Sequence, residues 1–96
     1  MENTTLSPTL IEKEAISELI FPKSAISKTS DELKVLKHHL RRAMILGNLH
    51  RTKIKIVFED DKSLKEVRTT VWAVGDKNIV LKQGTIIPIN RIVSIV

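Results

Sequence analysis

Near Asn48 the spacing of the apolar residues changes, and that change limits what the chain can fold into. Upstream, Leu33, Leu36, Leu40, Ala43 and Met44 recur at intervals of three and four, the repeat of one buried helix face. Downstream, Thr52, Ile54, Ile56 and Phe58 alternate with Arg51, Lys53, Lys55 and Val57, the repeat of a strand with two unlike faces. Helix must therefore come first and sheet after it, which sets the class as α+β, mainly β. The helix ends are written locally. Thr29 and Glu32 have the spacing of a capping box, and Gly47-Asn48 supplies a left-handed stop, so the pattern predicts a helix from about Ser30 to Leu46.

Turn chemistry divides the remainder into strands. Asp60-Asp61-Lys62-Ser63 is a polar hairpin turn, and Leu64 to Val74 reads as one strand rich in Val and Thr. Gly75-Asp76-Lys77 turns again before "NIVLK", Gln83-Gly84 makes a tight turn, and "TIIPI" and "RIVSIV" follow as short strands. Pro88 cannot donate to a ladder and belongs at a strand end, with "PIN" as a single 3₁₀ turn. Five strands are expected. At the other end, Ser7 as N-cap and Pro8 at the first helical position announce a further helix, with Ile11, Ala15, Ile16, Leu19 and Ile20 on one apolar arc. Pro22 ends it, and "PKSAISKTS" is a linker. The chain thus divides into residues 1–29, a helical extension and linker, and residues 30–96, a helix plus five strands.

At 96 residues this is one small domain with a thin core, and 42% apolar with 28% charged residues is a globular composition. The absence of cysteine excludes a disulfide framework and thiolate metal sites and fits a reducing compartment. "MENTTLSPTLIEKE" is acidic without an apolar signal region, and no apolar run approaches the ~20 residues of a membrane span, so a cytoplasmic protein without membrane association is expected. The charge is unevenly placed. Residues 1–30 hold four Glu against three Lys, so the remaining 66 residues carry +6 of a chain whose net charge is +5. A positive field of that kind favours a polyanionic partner such as nucleic acid.

The strings "VRTTVWAV", "NIVLK" and "IPINRIVSIV" resemble those of a group of short, uncharacterised bacterial proteins. The order of a helix, a long hairpin, a third strand, a tight turn and two short strands resembles the Sm-like class. That resemblance implies N-terminal helices followed by a five-stranded antiparallel Sm-like small β-barrel. "DELKVLKHHL" and "INRIVSI" are in addition similar to the Rof-type modulators of Rho-dependent termination, small barrels that bind the termination factor through protein contacts. Here the helix continues about two turns past His39, and Lys34, Lys37, Arg41 and Arg42 are basic where that family is acidic, so its partner does not carry over. Sm-like barrels form rings by pairing strand edges, which implies that the last strand, apolar on both faces at Ile92, Val93, Ile95 and Val96, pairs with another copy or a protein partner unless the N-terminal helix covers it.

Three motifs could carry chemistry. His38 and His39 point about 100° apart on a helix, and the i, i+4 pair of helical metal sites is missing, so neither metal nor cofactor is expected. No Ser-His-Asp set, Cys-His set or phosphate-cradling Gly loop is present, so a non-catalytic protein is expected. The basic run Lys34, Lys37, His38, Arg41 and Arg42 has an ordinary explanation. Asp31 and Glu32 at the start with Arg41 and Arg42 near the end suit the helix macrodipole, at ~0.3–1 kcal/mol each. Joined to Arg51, Lys53 and Lys55, the same run makes a surface for phosphates. Trp72 either stacks a base or, the favoured reading, packs beneath the N-terminal helix; with Phe21 and Phe58 as the only other aromatics, no aromatic platform is present. The expectation is weak RNA or DNA binding through Arg41, Arg42, Arg51, Lys53, Lys55 and Trp72. The alternative is a protein-docking or self-assembling module.

Overall fold

Different chemistry sets the two ends of the long helix. In a computed structural model, which describes residues 7–96, α1 spans Ser30–His50. At its start Thr29 Oγ1 accepts from the Glu32 N–H at 3.1 Å, and Glu32 Oε1 accepts from the Thr29 N–H at 2.8 Å, so two orphan donors are satisfied reciprocally. At its end the helix runs through Gly47 and Asn48, and Arg51 takes the left-handed cap at φ 56° and ψ 36°. Gly47 is needed for another reason. A Cβ there would lie 2.9 Å from Thr70 Cγ2 and 3.2 Å from the Thr52 carbonyl, so the glycine permits close approach of helix to sheet rather than stopping the helix.

The strands are β1 (Thr9–Leu10), β2 (Ile54–Glu59), β3 (Leu64–Thr69), β4 (Val71–Val74), β5 (Asn78–Leu81), β6 (Ile86–Pro88) and β7 (Ile92–Ile95). They form two sheets, β1-β3-β2-β7 and β4-β5-β6. The expected closed barrel is therefore not formed. The single strand expected over Leu64 to Val74 breaks at Thr70: its first half pairs antiparallel with β2, Val67 opposite Ile56, and its second half pairs with β5, Val71 opposite Leu81. A 3₁₀ turn over Ile89–Arg91 likewise passes the chain from β6 in one sheet to β7 in the other. Two changes of partner replace one continuous ladder.

The expected N-terminal helix is also absent. Thr9 and Leu10 pair in parallel with Lys65 and Glu66 on the edge of β3, and the Ile11 N–H donates to the Glu66 carbonyl at 2.9 Å. Lys13–Glu18 then form a 3₁₀ turn without a side-chain cap. The edge of β3 pairs with this backbone in place of a helix, and a marginal helix of this length yields to such pairing. Ile16 alone of the expected arc is fully buried, in the core with Leu36, Leu40, Ile56, Phe58, Val67, Val71, Ile79, Leu81, Ile87, Ile89 and Ile92. Residues 1–6 of the anticipated extension lie outside the described residues.

Residues 19–29 run as a strap across the bottom of the core. The Asp61 N–H donates to the Ile20 carbonyl, the Ile26 N–H to the Asn90 carbonyl, and Arg91 Nη1 to the Ser24 carbonyl at 2.7 Å. α1 covers β4 and touches β7. Among the described residues no helix is long and apolar enough to cross a membrane.

Candidate functional site

Thr70, at the break between β3 and β4, fastens three segments together. Its methyl group faces Gly47 of α1, its hydroxyl donates to the Thr52 carbonyl at 3.4 Å, and its own carbonyl accepts from the Lys82 N–H at 3.0 Å. Each fastened segment carries a cation beside the junction: Arg51 at the helix cap, Lys53 in the connection to β2, and Lys82 just after β5. These three side chains line one cavity of about 340 Å³ with Asn48 and Trp72. The ion pairs among the described residues use Lys13, Lys65, Arg68 and Arg91, and none of them neutralises Arg51, Lys53 or Lys82.

Trp72 lies beside an irregularity in the sheet. Val71 opposes Leu81 and Ala73 opposes Val80, so Trp72 is an extra residue inserted in the β4–β5 ladder. Trp72 still faces away from the buried Val71, as alternation gives, and the exposed Ala73 after it marks the change of phase. The indole is 48% exposed and no N-terminal helix covers it. A second hollow of about 240 Å³ shares Lys53, Thr70 and Lys82 and extends the groove toward Lys13 and Arg68. There the charge is partly matched, because Lys13 pairs with Glu14 and Arg68 with Glu66, each at 3.0 Å.

Of the residues singled out from the sequence, Arg51, Lys53 and Trp72 come together. Arg41 lies two turns before Asn48 on the same flank of α1 and extends the basic line along the helix. Arg42 points about 100° further round, on the flank that carries the exposed Leu46 and Leu49. Lys55 sits mid-sheet on the outer face, directly opposite Arg68 and bonded through its backbone to Val96. Sequence reasoning missed Lys82. The signal available was a cation flanking the Gln83-Gly84 turn, where both residues adopt positive φ, but the contact that brings it to Arg51 and Lys53 runs through Thr70, twelve positions away.

The buried acid Asp60 belongs to the scaffold. Its Oδ1 accepts from the Lys62 and Ser63 N–H groups at 2.8 and 2.9 Å, and its Oδ2 from Lys65 Nζ at 2.9 Å. Burial pushes its carboxyl up, yet these donors and the Lys65 charge outweigh burial and hold it below the usual carboxylate value. His38 and His39 are exposed with ring centroids 6.0 Å apart, and among the described residues no three His, Cys, Asp or Glu side chains gather as metal ligands would. No protein-family model, curated protein or solved structure matches the chain.

Proposed function

We propose that this chain is a non-catalytic binding protein that holds single-stranded RNA or DNA in the groove around Thr70. The carrying observation is the convergence of Arg51, Lys53 and Lys82, none with an acidic partner among the described residues, on a cavity walled by the bulged, half-exposed Trp72. In this reading the three cations take successive phosphates and the indole stacks a base, an arrangement that tolerates many sequences because every base has a π face. Arg41 continues the basic line, whereas Arg42 and Lys55 contribute only to the long-range field. A cysteine-free chain suits the reducing cytoplasm in which such a ligand is found.

The test is Trp72 fluorescence during titration with a mixed-sequence single-stranded oligonucleotide, RNA and DNA separately, over a series of salt concentrations. Three phosphate contacts predict saturable quenching with a log–log salt slope of about −2, falling to about −0.7 in a Lys53→Ala, Lys82→Ala double variant. Trp72→Phe should keep that slope. No saturable binding at low salt would sink the proposal.

One further observation favours a second reading. Leu46 and Leu49 are 45% and 71% exposed on the outer flank of α1, Val96 is 79% exposed, and β7 has a ladder partner on one side only. Such surfaces suit a protein-docking module or an assembly with a second copy through the last strand. Light scattering on the same samples separates the two: a mass above one chain that persists at high salt, with Trp72 unquenched, selects this second reading.

A further inference from the structure

A second cavity lies at the other end of α1 from the groove. It has a volume of about 550 Å³, within the ~300–1,000 Å³ range of small-molecule sites, and forms where the strap, the first half of α1, the β4–β5 turn and the 3₁₀ turn after β6 meet. Its floor is apolar. Leu33 and Ile89 lie there with Phe21, whose ring is braced against Phe58 at a centroid distance of 5.8 Å. Its rim carries Lys23 from the strap, Lys37 from α1 and Lys77 from the turn, none in an ion pair among the described residues. Asp76 is the one acidic side chain in the lining, so positive charge is in excess.

We infer that this cavity binds a nucleotide unit, its base lying on the Phe21, Leu33 and Ile89 floor and its phosphate among Lys23, Lys37 and Lys77. The floor suits a flat apolar body, and three cations against one acid favour a ligand with more than one negative charge. The rim also holds Asn78 and Asn90; among the described residues the latter's only side-chain hydrogen bond is a long 3.4 Å donation to the Lys23 carbonyl. An alkyl chain would leave these amides unmatched, whereas the polar edge of a base gives them partners. Lys37 is half-buried in the lining. Ten residues of helix separate Lys37 from Gly47, which puts the cavity about 15 Å from the groove along α1. Two sources share this chemistry, a free nucleoside phosphate and the end nucleotide of a strand held at Thr70. The site stands on its own residues and does not require the groove to bind.

The experiment is amide-shift mapping by NMR on the full ¹⁵N-labelled chain with adenosine 5′-monophosphate, with inorganic phosphate, and with the oligonucleotide used above. Saturable shifts at Phe21, Leu33, Lys77 and Ile89 are expected from the mononucleotide, with inorganic phosphate binding at least about tenfold more weakly because it lacks the base. A Lys23→Gln, Lys77→Gln double variant, both positions exposed and outside the core, should weaken the mononucleotide about tenfold. Shifts confined to the groove, equal binding of inorganic phosphate, or an unaffected double variant would each overturn the inference. Mononucleotide and oligonucleotide bound together identify a free nucleotide as the ligand; displacement of the mononucleotide by the oligonucleotide identifies the end of a strand. Failure here leaves oligonucleotide quenching of Trp72 intact. Failure of the groove instead leaves mononucleotide binding intact in the Lys53→Ala, Lys82→Ala variant.

Discussion

Gly47→Ala sets two effects against each other at one position. Helix propensity favours alanine by about 1 kcal/mol, but the new methyl must fit 2.9 Å from the short, stiff Thr70 side chain and 3.2 Å from a backbone carbonyl. Overpacking of this sort costs ~1–3 kcal/mol, so urea denaturation should show a net loss of about 1 kcal/mol and the amides of Thr52 and Thr70 should shift. Asp60 gives a second single-residue test, through pH. Its folded-state carboxyl is held below the ordinary value, so its contribution is complete above about pH 4 and is lost as pH falls through the lower folded value. Asp60→Asn can still accept from the Lys62 and Ser63 N–H groups but gives up the charge facing Lys65. We expect a loss of about 1–3 kcal/mol near neutrality and a flatter acid limb in stability measured from pH 7 to pH 2.

Among the elements, the strap is fastened by backbone bonds from Ile20 and Ile26 and by one side chain, Arg91, that ties Ser24 to the end of β2. Arg91 is 6% exposed and spreads its guanidinium over the Glu59 carbonyl, the Ser24 carbonyl, the Asp60 carbonyl and Glu59 Oε1. A lysine keeps the charge but not the fork, so Arg91→Lys should cost about 2–3 kcal/mol. Hydrogen exchange should then show the Ile26 amide, which bonds to Asn90, opening before the core strands. What the sequence made legible follows the same division between local and distant causes. The capping box needs only Thr29 and Glu32, three residues apart, and alternation over residues 54–58 needs only its own side chains, so both could be read directly. The segment around Ile16 has helical spacing but lies against the edge of β3, a partner about fifty residues away, and that pairing prevails over local preference. Gly47 was legible as a special position, although its reason, the methyl of Thr70, was not.

The groove around Thr70 is a property of the whole fold rather than of any segment. The sequence exposed an excess of positive charge after residue 30 and picked out Arg51, Lys53 and Trp72, but it could not assemble them. Lys82 enters only because a strand changes partners at Thr70, an event that leaves no mark in local composition. Nor do two sheets in place of a closed barrel follow from strand count, since the same five short runs serve either arrangement. Arg51 connects these scales. It caps α1 in a left-handed conformation, φ 56°, that costs a residue with a side chain roughly 1–2 kcal/mol and glycine almost nothing. Arg51→Gly should therefore raise the melting temperature while weakening oligonucleotide binding, two readouts moving in opposite directions. The residue that ends the helix is thus also one of the cations lining the groove, so the strain of the cap and the charge of the groove are set by a single side chain.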